Sequence, residues 1–168
     1  MTAARPTLAR RYVATGFTLV ELITVIVILG ILAVVALPRL TGSDAFRSVA
    51  FHDEVVSALR YAQKTAVSHR RLVCATFTAS TVTLNVAIAN GATSCGAATL
   101  NGPDSKPAYA SSPDPAKITV SIAPAGLVYF QPSGIITADG AGTAMTDYIV
   151  TVTGGQAISL VGATGYVK

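Results

Sequence analysis

The sequence predicts an α+β fold in which a long N-terminal helix, apolar in its first half and amphipathic in its second, packs on an antiparallel β-domain. Three observations carry this expectation. Residues 17–37 form an almost unbroken apolar run, residues 45–68 repeat apolar side chains at spacings of three and four, and beyond Arg71 the repeat shortens to two. Helix first and strands afterwards is the order of an α+β domain rather than of alternating β-α units. The boundaries follow: a basic leader over 1–16, an apolar helix over 17–38, an amphipathic helix over 39–71, and an antiparallel β-domain over 72–168 with a long loop at 90–117.

Phe17 to Leu37 is long enough, at ~1.5 Å per residue or roughly 32 Å, to match a hydrocarbon layer of ~30 Å. Most of the run is Leu, Ile, Val or Phe, and their insertion free energies sum to roughly −4 to −9 kcal/mol, against about +3 kcal/mol for one charge at the centre. Glu21 stands near one end, so insertion wins. Arg5, Arg10 and Arg11 precede the run, and the positive-inside tendency keeps them in the cytoplasm and sends residues beyond Pro38 across. A secretory signal cut after Val34-Val35-Ala36 is one rival, but its apolar region is overlong and contains Glu21. A plain uncleaved single-span anchor is another. Gly30 weakens the helix and Pro38 ends or kinks it, which brackets a softer stretch; Gly30 serves equally well as a close-packing position between helices.

Gly16-Phe17-Thr18-Leu19-Val20-Glu21, standing at the entrance to this span, resembles the prepilin-peptidase site and N-terminal helix of type IV pilins and type II secretion pseudopilins. The resemblance implies a type IV pilin-like fold. It also implies that a prepilin peptidase cuts between Gly16 and Phe17 and methylates the new amino group of Phe17. A residue without a Cβ before the scissile bond lets the backbone extend and the enzyme approach closely. A carboxylate in hydrocarbon is expensive and marks function, and the resemblance gives Glu21 its partner: the terminal ammonium of Phe17 on a neighbouring subunit, with the stretch between Gly30 and Pro38 able to unwind on packing. Glu21 snorkelling to the interface is the alternative. The implied partners are the peptidase, other pilin or pseudopilin subunits and an inner-membrane assembly platform. The implied location is the bacterial inner membrane, single-pass, with the leader in the cytoplasm and the C-terminal domain in the periplasm, then a filament.

Thr41-Gly42-Ser43-Asp44 supplies a break and cap-type residues before the second helical pattern. Phe51, Val55, Leu59, Ala62 and Ala66 give that helix one apolar face to lay on a sheet. Arg47, Asp53, Glu54, Arg60, Lys64 and Arg70 populate the others, with Arg60 and Lys64 read as a solvated surface. Val73, Ala75 and Phe77, then Val82, Leu84, Val86 and Ile88, alternate across the connection Thr78-Ala79-Ser80-Thr81 and predict a hairpin. Further strands are expected at Ile118–Ile122, Leu127–Gln131, Tyr148–Val152 and Ala157–Val161, set apart by Pro, Gly, Asp and Ser. Asn90 to Lys117 shows no period and reads as a long loop. The run Glu54 to Val67 followed directly by the Val73–Phe77 strand, with Val128-Tyr129-Phe130-Gln131-Pro132-Ser133-Gly134, Ile158-Ser159-Leu160 and Thr164-Gly165, resembles the GspH/FimT group of minor pilins and also the mannose-sensitive haemagglutinin minor pilins.

The formal charge of +4 overstates the basicity of the body of the chain, because setting aside the three leader arginines leaves nine Lys and Arg against eight Asp and Glu. A large nucleic-acid surface is not implied. The exception to weigh is that FimT-like members bind DNA through a basic C-terminal tail; here the tail ends Gly165-Tyr166-Val167-Lys168 and lacks paired arginines. Cys74 and Cys95 are an even pair in a domain assigned to an oxidising compartment, so a disulfide tying the hairpin to the long loop is expected, with two buried free thiols as the alternative. His52 and His69 show no ligand spacing, and no metal motif or catalytic grouping is present. The chain is read as no enzyme, without a cofactor. Asp139-Gly140-Ala141-Gly142 with Asp147 is a turn by default, although some pseudopilins hold calcium in this general region.

Overall fold

A computed structural model describes residues 17–40 and 44–168, with side chains of the first helix described as far as Val34. The chain divides into two compact units at Thr41/Gly42. The first holds helix α1, Leu19–Leu40. Its backbone stays helical through Pro38, so of the two expectations for that residue, an end or a kink, the end does not form; Thr41-Gly42-Ser43 lie outside the described residues.

The second unit opens with α2, Asp44–His69. Phe51, Val55, Ala58, Leu59, Ala62 and Ala66 are buried along one face, as the spacing of three and four requires. The helix stops at Arg70, which takes the left-handed conformation at φ 53° while the Arg71 N–H reaches back to the Ala66 carbonyl at 3.2 Å. This is the Schellman closure, made with arginine where glycine is usual.

Two antiparallel sheets follow. The first contains β1 (Val73–Phe77), β2 (Thr81–Val86), β3 (Ala98–Leu100), β4 (Ala108–Ser111), β6 (Val128–Phe130) and β7 (Ile136–Thr137); its order is β3-β2-β1-β6-β7, with β4 also on β2. The second contains β5 (Val120–Ala123), β8 (Tyr148–Val152), β9 (Ala157–Val161) and β10 (Tyr166–Val167), in the order β10-β9-β8-β5. One core joins α2 to both sheets, with Phe130, Leu84 and Val150 among its fully buried residues.

The hairpin forms as expected, with Val73 opposite Val86 and Phe77 opposite Val82. Thr78 shapes its turn: the hydroxyl accepts the Thr81 N–H at 2.9 Å. Ile88 departs from the reading. The ladder ends where the Ala87 N–H meets the Leu72 carbonyl, β1 offers nothing opposite Ile88, and that side chain is 74% exposed.

The largest correction concerns residues 90–117. They are not one structureless loop, because β3 and β4 both lie on the outer edge of β2, β4 along Thr81–Thr83 and β3 along Leu84–Val86. The two strands are short and made of Ala, Thr, Ser, Tyr and Leu, so an open edge supplies their pairing where intrinsic preference is weak.

Two turns lock the sheets over α2. Gln131-Pro132-Ser133-Gly134 closes a turn with the Gly134 N–H on the Gln131 carbonyl at 2.9 Å. Gly165, at φ 65°, lies so close to it that a Cβ would collide with the Gly134 carbonyl oxygen and come within 2.8 Å of Gln63 Nε2 on α2. The two C-terminal motifs of the minor-pilin resemblance are thus the halves of one structural joint.

Candidate functional site

The residues singled out in the sequence fall into two groups. Gly16 lies outside the described residues, as does the side chain of Pro38. Phe17, Glu21 and Gly30 belong to α1 or its entry. Thr18 caps the helix: its hydroxyl accepts the Glu21 N–H at 3.2 Å, and its carbonyl accepts the Leu22 N–H at 3.1 Å. Thr24 adds a second local bond, its hydroxyl donating to the Glu21 carbonyl at 2.9 Å.

These bonds define the register of the acid. Glu21 is the third residue of the helix, in the first turn, where the unpaired N–H groups and the positive end of the helix dipole favour a carboxylate. The sequence reading did not single out Thr18. Thr-x-x-Glu before an apolar run is the signature of a capping box, and it was there to be read.

Beyond this turn the described side chains of α1, as far as Val34, are apolar apart from Thr24. Every described side chain from 17 to 34 is exposed, including Phe17 at 80%, Leu19 at 74% and Ile31 at 63%. Gly30 has open space where a Cβ would stand. In water such a surface is strongly unfavourable at about 25 cal/mol per Å², so α1 needs a different surrounding, lipid or protein. Among the described residues no helix is long and apolar enough to cross a membrane; the expected run continues past the last described side chain, Val34, to Leu37. Among the described residues, no cation pairs with the Glu21 carboxylate.

The second group lies in the β-domain. Cys74 and Cys95 form a disulfide with their Cα atoms 6.0 Å apart. Cys74 points to the face of β1 opposite Val73 and Ala75, and with Leu72 and Ala87 makes a small separate core that Cys95 and Tyr129 help to close. The free-thiol alternative is therefore set aside. His52 lies beside Asp53, with Nδ1 3.3 Å from the carboxylate.

Asp139 and Asp147 each accept hydrogen bonds from the chain's own turns. Asp139 accepts the Thr143 N–H at 2.9 Å, the Ala144 N–H at 3.1 Å and the Thr143 hydroxyl, and the Thr143 hydroxyl, with these backbone donors, holds its carboxyl below the usual range. Asp147 accepts the Gly162 N–H at 2.6 Å. Among the described residues no group of three or more His, Cys, Asp or Glu is clustered.

The C-terminal tail is part of a sheet. Lys168 exchanges both backbone bonds with Ser159, at 2.9 and 3.0 Å, and Arg60 reaches the Val167 carbonyl at 3.4 Å. Tyr166 remains 57% exposed.

Comparison with solved structures finds two crystal structures of the type IV minor pilin FimU of Pseudomonas aeruginosa. In the first the likeness has a TM-score of 0.52 at 18% identity and covers 71% of this chain and 84% of that one. In the second the TM-score is 0.49 at 18% identity, covering 71% and 89%. No family model and no curated protein matches the sequence. The chain has the α+β fold of a type IV pilin-like minor pilin, one helix laid on antiparallel sheets.

Proposed function

We propose that this chain is a minor pilin or pseudopilin, a structural subunit of a type IV pilus or of a type II secretion pseudopilus. It enters the inner membrane through residues 17–37 with its leader in the cytoplasm. A prepilin peptidase removes residues 1–16 and methylates Phe17, and the mature chain passes to other subunits through an assembly platform. Its work is architectural rather than enzymatic.

The observation that supports this reading is the joining, in one chain, of a pilin-like domain to a capped helix whose described apolar side chains are all exposed. Such a helix is stable in lipid and equally stable in a bundle of its own kind, so it can leave one for the other. Glu21 gives that transfer its register. In a low-dielectric bundle a lone carboxylate is costly, and a neighbour's terminal ammonium at the right height relieves the cost.

Mass analysis of the N-terminus of the chain taken from cells tests the reading. A mature chain beginning at N-methylated Phe17 is expected. One that begins upstream, or that has lost residues 17–37, overturns it. Shearing then separates the two filaments: release with surface fibres assigns the pilus, and retention in the envelope assigns the pseudopilus.

A further inference from the structure

The first two turns of α2 carry apolar side chains that the domain does not cover. Phe46 is 76% and Val49 53% exposed, whereas the apolar stripe from Phe51 to Ala66 is buried. Their direction is fixed by what lies on the opposite side of the helix. Ser48 is buried and donates its hydroxyl to the Thr153 carbonyl, and Gly155, in the turn after β8, lies so close to His52 that a Cβ would stand 3.0 Å from the ring. At about 100° per residue, Phe46 lies roughly 160° round the helix from Ser48 and Val49 roughly 100°. Holding Ser48 inward therefore turns both of them out.

Arg47 is exposed beside them, and among the described residues no carboxylate lies within salt-bridge distance of it. Lys117, by contrast, meets Asp44 at 3.1 Å. An exposed aromatic ring, an aliphatic side chain and a free guanidinium within four residues suit a membrane boundary, where the ring sits at headgroup level and the cation meets phosphate. The height agrees. A hydrocarbon layer of ~30 Å that begins beyond Glu21, at Leu22, takes about twenty residues at ~1.5 Å each and ends near residue 41. Glu21 then lies in the cytoplasmic headgroup layer, and Arg39, near the other end, has a stem long enough to snorkel. Phe46 comes five residues later, roughly 7 Å higher at helical rise, which is about the depth of one headgroup layer. Asp53 and Glu54, both exposed, follow about 10 Å beyond and bound the contact on the water side.

We propose that Phe46 and Val49, with Arg47, seat the start of α2 in the headgroup layer of the membrane that holds α1, so that the precursor is held there at two places. The proposal rests on the reading of residues 17–37 as a span. Lipid is the occupant because the short tether keeps these side chains within reach of it in every single chain, before any other subunit is met. The contact is given up when the chain leaves the membrane for a filament, so it acts as a brake on release.

The chain has no tryptophan, so Phe46→Trp supplies a single reporter in the full-length protein. The variant is placed in vesicles of phosphatidylethanolamine and phosphatidylglycerol, dilute enough that chains do not meet, with lipids brominated either beside the headgroup or deep in the acyl chains. Its emission is expected to shift to the blue, to lose most of its intensity to the shallow bromines and less to the deep ones, and to resist iodide. Tyr166→Trp, at a side chain of β10 that is 57% exposed, should keep a red emission that iodide quenches and bromine does not. A Phe46→Trp signal that matches Tyr166→Trp overturns the proposal. So does a blue emission that no brominated lipid quenches, since that marks a contact with protein. Leu29→Trp in α1 separates the contact from the span. Deep bromines that quench Leu29→Trp while Phe46→Trp stays in water keep the span and remove the proposal; a Phe46→Trp quenched by shallow bromines beside an unquenched Leu29→Trp does the reverse.

Discussion

The two helices use the same apolar residues in opposite ways. In α1 the described side chains from 17 to 34 all face outward, whereas in α2 the apolar stripe from Phe51 to Ala66 is buried against the sheets. The difference lies in pattern rather than in hydrophobicity. An apolar side chain every three or four residues leaves a polar remainder that water tolerates, so α2 is satisfied by one packed face. A helix apolar all round has no side to give to water. It requires lipid or other helices on every side. The buried helix spends its hydrophobicity on folding; the exposed one keeps it for other molecules.

The sharpest way to break this comparison is to remove the one acidic residue of α1. On the proposed pairing, Glu21→Ala is expected to leave membrane insertion intact and to lower filament incorporation by an order of magnitude or more, because deleting the acid would strand the neighbour's ammonium in a low-dielectric bundle. Quantifying the variant in sheared filaments against the membrane fraction checks it. Normal incorporation removes the role assigned to Glu21.

Two phenylalanines five residues apart on α2 sharpen the same contrast. Phe51 is 1% exposed and Phe46 76%. Phe51→Ala should destabilise the domain by about 3–5 kcal/mol, the cost of truncating a buried aromatic side chain, and Phe46→Ala should stay within about 0.5 kcal/mol. Denaturant titration of the two variants decides it. A large loss at Phe46 would show that its exposure is not that of the folded domain.

The disulfide ranks next. Cys74 and Cys95 are 21 residues apart in sequence, and closing a loop of that length stabilises by about 3 kcal/mol. The paired change Cys74→Ser and Cys95→Ser should therefore lower the midpoint of unfolding by somewhat less than Phe51→Ala at the top of its range, with the small core of Leu72 and Ala87 opened to solvent. An unchanged midpoint would mean that the pairing of β3 and β4 on β2 already holds the segment without the bridge.

What the sequence made legible tracks how much of the signal was local. The α2 face and strands β8 and β9 announce themselves by period, since the residues that set their pattern also fill the core. Strands β3, β4, β7 and β10 have two to four residues each; unlike the equally short β5 and β6 they lie in no longer apolar alternation, and they form where a neighbouring edge offers partners. Ile88 was misplaced for the converse reason: the alternation continues in the sequence after the partner strand has run out. At the N-terminus the Phe17–Glu21 pattern drew attention to the charge and away from Thr18, whose hydroxyl fixes where the helix starts. The joint of Gly165 on Gly134 was invisible, because it depends on two turns that are distant in sequence and meet only in the fold.

The smallest effect expected is at Asp139, and it separates a structural carboxylate from an assembly carboxylate. The Thr143 hydroxyl and the backbone N–H groups of its turn bond the ionised form, so the folded-state pKa lies below the ordinary value of 3.8. A depressed carboxylate binds its proton less readily folded than unfolded. The stability it contributes is therefore present above about pH 4 and is lost as the pH falls through the lowered value. The residue is half-buried, but its carboxylate stays open to water, which keeps the contribution small. Asp139→Asn retains one acceptor oxygen but removes the charge, so the variant should lose slightly at neutral pH and show a shallower decline in unfolding midpoint between pH 5 and pH 2 than the parent chain, in about the window where a single depressed carboxylate titrates. Identical slopes would place the acid sensitivity of the domain elsewhere. Because Glu21 belongs to the other unit, its substitution should leave the pH profile of the β-domain unchanged, and a domain that answered to Glu21 would erase the division of labour between the exposed helix and the buried one.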